Sequence, residues 1–154
     1  MSKSLARVAK AIDDIGLPAE ILNPGASRTA EDAAKACGCA LDQIAKSLIF
    51  QGESGVIFLF LTAGGNRLDA DKAALVAGET LQRADAGTVR KVTGFAIGGV
   101  SPLGHLNAPV IFADPRLKDF TTVYAAAGTP DHVFAVEPAA LFMACGAKEA
   151  DFTV

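Results

Sequence analysis

The 154-residue sequence contains few of the residues that build disulfide frameworks or zinc sites. Its three cysteines, Cys37, Cys39 and Cys145, are an odd number and too few for a framework of disulfides. Cys37 and Cys39 are separated by one residue, whereas common zinc and thioredoxin-like motifs have two. His105 and His132 are the only histidines that could add ligands. We therefore expect free thiols and no metal site.

The sequence also lacks long hydrophobic runs and an excess of basic residues. No apolar stretch reaches the roughly eighteen residues that span a membrane. The N-terminus lacks the apolar core and cleavage site of a signal peptide. We therefore expect a cytoplasmic protein without a membrane partner. The formal net charge of −3 disfavours extended DNA binding, because binding by counterion release requires a basic surface. Contact with a short nucleic-acid end remains compatible with this charge.

The local patterns predict a compact domain in which helices and strands are mixed. Hydrophobic residues make up 51% and charged residues 20%, which is typical of a globular protein. The periodicity and capping residues predict helices near 2–15, 30–37, 70–77, 86–92 and 138–145. Strands are predicted near 20–23, 46–50, 56–61, 80–84, 110–113, 121–127 and 132–136, with an edge strand at 151–154. Because the two types do not strictly alternate, we expect a single α+β domain over 1–154, with a mixed, curved, partly closed (barrel-like) β-sheet flanked by helices.

A glycine-rich stretch at 93–105, here called the glycine loop, is the first candidate site. It contains four glycines and the pair Ser101-Pro102 in an otherwise apolar run. Glycine permits positive φ and close approach to a ligand, and proline biases the preceding residue towards an extended conformation. Such a loop can point N–H groups at a carbonyl or phosphate oxygen. A tight loop required only by the topology explains the same pattern.

Lys46, Ser101 and His105 are the candidate reactive side chains. Lys46 at the start of a strand is either a solvated edge charge or a cation at the mouth of a pocket. Ser101 requires a neighbouring base, and no Gly-x-Ser-x-Gly elbow is present. His105, four residues later, is either that base or a loop histidine bound to backbone carbonyls. We interpret His132 as structural. Residues 64–66 are too short for a phosphate or dinucleotide loop, which disfavours phosphoryl and hydride transfer.

Five segments, at 28–34, 43–50, 61–69, 92–105 and 124–130, together carry a family resemblance. The most specific are the lysine strand and the glycine loop, which read Gln43-Ile44-Ala45-Lys46-Ser47-Leu48 and Gly98-Gly99-Val100-Ser101-Pro102-Leu103-Gly104-His105. With these segments in this order, the sequence resembles the YbaK/ProX-type aminoacyl-tRNA deacylases, relatives of the editing domain inserted in bacterial prolyl-tRNA synthetase. The resemblance covers nearly the whole chain and implies the same fold.

The resemblance implies hydrolysis of the ester that joins a wrong amino acid to the tRNA 3′ end, in trans to the synthetase. It assigns Lys46, Gly99 and Ser101 to catalysis, with amides of the glycine loop binding the developing oxyanion. The residues that it assigns to substrate binding are Thr29, Gly98, Val100, Pro102, Gly104, His105 and Gly128. The attacking group is expected to be a water or a group of the substrate, and no metal or cofactor is implied. The expected partners are the aminoacyl-tRNA acceptor end and a prolyl-tRNA synthetase.

Two other functional classes remain as alternatives. A non-catalytic module would use the same pocket to bind a nucleotide or an aminoacyl end. A serine or cysteine hydrolase of small esters is disfavoured by the missing triad spacing. Alanine, cysteine, serine, threonine and 2-aminobutyrate all remain open as the amino acid removed. One methylene changes discrimination by about 1–3 kcal/mol, so a broad substrate range is compatible with the sequence.

Overall fold

The computed structural model describes residues 2–154, in which helices pack on both faces of one β-sheet. The helices are α1 (Lys3–Asp14), α2 (Ala30–Cys37), α3 (Ala70–Ala77), α4 (Ala86–Thr93) and α5 (Pro138–Cys145), with 3₁₀ turns at Leu41–Gln43 and Pro115–Asp119. The strands are β1 (Ala19–Leu22), β2 (Ile44–Gly52), β3 (Ile57–Ala63), β4 (Leu81–Arg83), β5 (Val110–Ala113), β6 (Val123–Ala126), β7 (Val133–Val136) and β8 (Lys148–Glu149).

The helix ends follow local signals in the sequence. Thr29 caps α2, where its Oγ1 accepts a hydrogen bond from the Asp32 amide at 3.1 Å. Asp69 caps α3 through a carboxylate oxygen that accepts from two backbone amides. Gly38 and Gly78 end these helices in the left-handed conformation, with φ of 67° and 79°. The predicted bounds of α2 and α3 are therefore confirmed.

The sheet is mixed and open. Its strands follow the order β1-β7-β6-β2-β3-β5-β8, and β4 pairs with β2 beside this path. The β2–β6, β3–β5 and β5–β8 pairs are parallel, and the others are antiparallel. The predicted α+β class with a mixed sheet is confirmed. Within residues 2–154 the path ends at β1 and β8 without a pairing between them, so the sheet does not close into a barrel.

Strand β3 separates the two hydrophobic layers of the core. Leu59 and Leu61 face a layer shared with α1, α4 and α5, whereas Phe58 and Phe60 face a smaller layer shared with α3. Every residue of β3 is buried, as the continuous apolar run predicts. This central strand fixes its antiparallel neighbour β2, which carries Lys46, through pairs that run from Ala45 to Gln51.

The C-terminus differs from the prediction. The predicted edge strand at 151–154 is wrong. The last strand is β8, which covers Lys148–Glu149 and ends before this range. Phe152 is fully buried in the layer next to α3, and Thr153 forms an isolated antiparallel bridge with Leu68. The terminal residues therefore pack Phe152 into the core and form one isolated bridge instead of a strand.

Candidate active site

A cavity of about 270 Å³ lies between β2, the β6–β7 hairpin and the start of α2. Part of the glycine loop completes its wall. The lining residues are Pro24, Gly25, Ser27, Arg28, Thr29, Ala30, Ala33, Ile44, Ala45, Lys46, Ser47, Leu48, Gly98, Val100, Tyr124, Ala126, Thr129, Pro130, His132 and Val133. The structure thus brings together four of the predicted site residues, which are Thr29, Lys46, Gly98 and Val100.

The cavity lies where β2 separates from β6. The parallel pairing of these strands consists of Ile44 with Tyr124 and Ala45 with Ala125. Farther along the same edge, β4 pairs only with residues 50–52. In the described part of the chain, residues 46–49 therefore have no strand partner on this edge. Lys46 is the first residue beyond the last β6 pair.

Lys46 is a partly buried cation with a fixed hydrogen bond. Its Nζ donates to the main-chain oxygen of Asn66 at 2.8 Å. Burial lowers the pKa of Lys46 below that of an ordinary lysine, while the negative charges of Glu31, Asp42 and Asp114 act in the opposite direction. The interpretation of Lys46 as a solvated edge charge does not fit this burial and this bond. A cation at the wall of a cavity does fit them.

The glycine loop is held tightly from behind by α1. The guanidinium of Arg7 donates to the oxygens of Gly94 and Gly104, at 2.7 and 3.2 Å, and lies over the buried ring of Phe95. Gly99 fits closely against the opposite segment, because an added Cβ would lie 3.0 Å from the Thr129 backbone. The N–H of Gly99 donates to the Ala96 oxygen at 3.0 Å, so it is not free for an oxyanion.

The second half of the glycine loop lies behind the cavity wall. Ser101 is fully buried, and its Oγ accepts a hydrogen bond from the Leu103 amide at 3.0 Å. Pro102 is also buried, and Gly104 packs against the backbone of α1. None of these three residues lines the cavity. Ser101 Oγ therefore makes a local structural bond, and among the described residues it has no hydrogen bond to a histidine or another base.

His105 also lies away from the cavity. Its ring meets the Phe95 ring edge to face, with centroids 5.8 Å apart. Its Nε2 is buried and has no hydrogen-bond partner in the described chain. Burial, with a smaller contribution from the positive charge of Arg7, lowers the pKa of His105 to about 4, although a backbone hydrogen bond with Ser101 opposes the shift. The ring is therefore neutral near pH 7 and belongs to the packing of the loop.

Gly128 contacts α1 rather than the cavity. Its φ is 96°, and an added Cβ would lie 2.7 Å from the Ser4 oxygen. This residue must be glycine because of its conformation and because α1 approaches it closely. Thr29, in contrast, both lines the cavity and caps α2.

Six polar residues that line the cavity are absent from the predicted site: Ser27, Arg28, Ser47, Tyr124, Thr129 and His132. Nδ1 of His132, for which the sequence predicts a structural role, lies 2.7 Å from Oγ1 of Thr129. Oγ of Ser47 is buried without a partner in the described chain. Arg28 precedes the cap of α2 and is exposed. Arg28, Ser47 and Thr129 are each adjacent to a predicted site residue, which is a local signal, whereas the position of His132 depends on pairing between distant strands.

The comparisons with known proteins decide the family. Residues 25–144 match the model of the aminoacyl-tRNA editing domain. The chain belongs to this family. The resemblance that the motifs indicate is thereby confirmed, and the matched region of the editing domain contains every residue that lines the cavity except Pro24. The general function of the family is aminoacyl-tRNA editing.

Individual relatives agree with this assignment. The editing domain is 36% identical over 112 residues to the uncharacterized protein YwhH of Bacillus subtilis (strain 168), which covers 73% of this chain and 71% of that protein. It is 27% identical over 142 residues to a proline–tRNA ligase of Lactobacillus helveticus (strain DPC 4571). That match covers 87% of this chain and 24% of the ligase, so the chain spans about a quarter of the ligase's length.

A solved structure shows the same fold over the whole chain. The crystal structure of "a putative trans-editing enzyme for prolyl tRNA synthetase" is 41% identical, with a TM-score of 0.94, and the match covers 100% of this chain and 99% of that one. The structure of the hypothetical protein APE2540 is 28% identical, with a TM-score of 0.89 over 96% of this chain and 99% of that one.

The described residues contain no group of three or more histidine, cysteine, aspartate or glutamate side chains that could hold a metal ion. Within residues 2–154, none of the helices combines the length and the hydrophobicity that a membrane-spanning segment needs.

Proposed function

We propose that the editing domain hydrolyses the ester of small amino acids mischarged onto tRNA(Pro), acting in trans to the synthetase. The observation that carries this proposal is the Lys46 ammonium at the wall of a small cavity. The family is named for aminoacyl-tRNA editing, which suggests an aminoacyl ester as the substrate. The cavity places a cation next to a confined space. Lys46 is the residue to which we assign the central role.

The proposed chemistry relies on the placement of an activated ester rather than on a protein nucleophile. The Lys46 ammonium would polarise the ester carbonyl or bind the phosphate next to it. A water activated by a hydroxyl of the substrate, or a thiol of the substrate, would attack the carbonyl carbon. The ester C–O bond would then break, and the proton of the attacking group would pass to the departing ribose oxygen. The amino acid would leave as the free acid after attack by water, or as a cyclic thioester after attack by its own thiol. Holding these groups together lowers the entropic barrier to the reaction.

The geometry disfavours the serine and cysteine hydrolase alternative. Oγ of Ser101 is buried and engaged behind the cavity wall. Burial raises the pKa of all three cysteines, that of Cys145 to about 11, so the thiols stay protonated near neutral pH. No cysteine lines the cavity within the described chain. An attack by water or by the substrate explains these features more simply.

The size and charge of the cavity support an acceptor end with a small amino acid. Sites for drug-sized ligands occupy about 300–1,000 Å³, and this cavity measures about 270 Å³. It therefore suits an aminoacyl group and part of a ribose better than a complete nucleotide. Exposed Arg28 at the same wall would contact a phosphate of the single-stranded end. Gly98 and Val100 would limit the length of the bound side chain.

Two relatives support tRNA(Pro) as the substrate. The chain matches part of a proline–tRNA ligase, and the similar solved structure is that of "a putative trans-editing enzyme for prolyl tRNA synthetase". We extend this specificity to the present chain as part of the proposal. A prolyl-tRNA synthetase would be the partner that supplies the mischarged tRNA.

Deacylation of a panel of mischarged tRNAs tests the proposal. The purified protein would be incubated with alanyl-, cysteinyl-, seryl-, threonyl- and 2-aminobutyryl-tRNA(Pro), and with prolyl-tRNA(Pro) as the correctly charged control. We expect hydrolysis of one or more of the small mischarged esters and no hydrolysis of prolyl-tRNA(Pro). Binding of all these tRNAs without hydrolysis would instead support the non-catalytic module.

A further inference from the structure

The hydrogen bond of Lys46 depends on a turn that two carboxylates hold. The ammonium donates to the Asn66 oxygen in the turn after β3, a turn in which the Asn66 N–H donates to the Ala63 oxygen at 2.9 Å. A main-chain oxygen can hold a flexible ammonium in one place only if the turn itself is fixed. The contacts that fix this turn therefore determine where the charge lies.

Asp114 holds the turn from the end of β5. Its Oδ2 accepts from the side-chain Nδ2 of Asn66 at 2.8 Å and from the Ala63 amide at 3.1 Å. Its Oδ1 accepts from the Arg116 amide at 3.0 Å. The side chain is 3% exposed and takes part in no salt bridge within residues 2–154. A buried carboxylate satisfied by three neutral donors is a rigid support.

Asp42 holds the same turn from the other side. Its Oδ1 accepts from the Gly65 amide at 2.8 Å, and its Oδ2 pairs with Nε of Arg116 at 3.0 Å. Arg116 therefore contacts both carboxylates, one through its amide and one through its guanidinium. Asp42 also provides part of the negative charge near Lys46, together with Glu31 of α2 and Asp114.

We propose that Asp114 is a positioning residue for Lys46, which it orients through the side chain and the turn of Asn66. This inference rests on the proposed function, because it concerns the placement of the cation that acts on the ester. Asp114 does not line the cavity and would not touch the substrate. Its effect on the reaction would pass through the Asn66 oxygen.

The chain offers two test variants and a matched control. Asn66→Ala removes the amide that Asp114 holds but leaves the main-chain oxygen in place. Asp114→Asn keeps the shape of the side chain but replaces one carboxylate oxygen by an NH₂ group. This group would face the N–H donors that the carboxylate binds in the parent. Asp119→Asn is the control, because Asp119 pairs with the guanidinium of Arg116 at 2.9 Å but makes no hydrogen bond to the turn.

The first measurement follows the Lys46 ammonium directly by ¹H–¹⁵N NMR of the lysine side chains. In the parent we expect a protected Lys46 NH₃⁺ resonance, since a hydrogen-bonded ammonium exchanges slowly with water. In Asn66→Ala and Asp114→Asn this resonance should broaden or disappear while the backbone amide spectrum outside the turn is retained. It should persist in Asp119→Asn. If Asp114→Asn does not fold, Asn66→Ala alone decides the outcome.

The second measurement is steady-state deacylation of the mischarged tRNA that the panel identifies. We expect kcat to fall about tenfold in Asn66→Ala, with the apparent KM changed less than about threefold, as for the loss of one hydrogen bond that places a reacting group. Asp119→Asn should match the parent. The inference would be overturned if Asn66→Ala and Asp114→Asn both kept the Lys46 resonance and the kcat of the parent. An inactive parent whose Lys46 resonance responds as expected would overturn the proposed function and leave the positioning of Lys46 supported.

Discussion

Two opposing effects determine the pKa of Lys46. Burial favours the neutral amine and lowers its pKa, whereas Glu31, Asp42 and Asp114 favour the ammonium. The net result is a pKa below the ordinary value of 10.5. The ammonium should therefore lose its proton, and its ability to polarise a carbonyl, at a lower pH than a solvated lysine does.

The pH profile of deacylation tests this charge. After subtraction of spontaneous hydrolysis, we expect the rate to decline on the alkaline side with a midpoint below 10.5, the ordinary lysine value. Lys46→Arg keeps a cation with a pKa above about 12, so its residual activity should lack this decline. An identical alkaline decline in both proteins would show that another group is responsible.

His105 should make the stability of the fold dependent on pH. Its pKa is lowered from 6.5 to about 4 in the folded state, so the neutral ring stabilises the fold fully above pH 6.5. As the pH falls from 6.5 towards 4, the unfolded state binds the proton first, and on the order of 3 kcal/mol of unfolding free energy should be lost. Urea unfolding of the parent and of His105→Gln should differ by this pH-dependent amount. Parallel curves for the two proteins would contradict the assignment.

Among the elements, α1 supports the site from behind the cavity wall. Leu5, Val8 and Ile12 bury its apolar face, while Arg7 reaches across to both ends of the glycine loop. Gly128 lies against the first turn of the same helix. Helix α1 thus supports two segments next to the cavity without lining it.

Arg7→Ala should loosen the glycine loop. The variant loses two hydrogen bonds from a cation to main-chain oxygens and a guanidinium stacked on Phe95. We expect the unfolding free energy to fall by about 2–3 kcal/mol in urea titrations. Lys10→Ala is the control, because Lys10 is 75% exposed and its ion pair with Asp14 is screened by solvent. Equal losses in the two variants would contradict this role of Arg7.

The elements were largely predictable, whereas the cavity was not. The bounds of α2 and α3 depend on Thr29, Gly38, Asp69 and Gly78, which act within one helical turn and are visible in a single sequence. The departure of β2 from β6 after Ala45 has no local signal, because it depends on which distant strands pair. For this reason Lys46 could be placed at the mouth of a pocket, but the rest of the lining could not be identified.

The glycine loop shows the limit of reasoning from a motif. Its glycines and its Ser-Pro pair correctly indicated a tight loop beside the site, and Gly98 and Val100 line the cavity. The same pattern could not reveal which residues point towards α1. Ser101 and His105 are reactive types of residue, yet both pack behind the wall because burial in the core determined their direction.

At the scale of the whole molecule, the net charge restricts how tRNA is held. The formal net charge of −3 leaves little general attraction for a polyanion. Arg28 and Lys46 are the cations that line the cavity among the described residues. Under the proposed function, we therefore expect contact at the acceptor end, with affinity for the body of the tRNA supplied by another component such as the synthetase.

The salt dependence of tRNA binding tests this confined contact. If Arg28 and Lys46 each neutralise one phosphate of the single strand, the slope of log K against log salt should be about −1.4, because each phosphate contributes about −0.7. Arg28→Ala should reduce the slope to about −0.7. Fluorescence titrations at several salt concentrations would give both values. A slope steeper than about −4 would show an extended contact with the tRNA body.

The most direct test of the central claim compares single-turnover deacylation of alanyl-tRNA(Pro) by the parent, by Lys46→Ala and by Lys91→Ala. Lys91 is an exposed lysine of α4 and serves as the control. We expect Lys46→Ala to lose at least about a hundredfold in rate, since groups that stabilise developing charge contribute this much or more. Lys91→Ala should match the parent. A folded Lys46→Ala that deacylates at the parent rate would contradict the assignment of the active site.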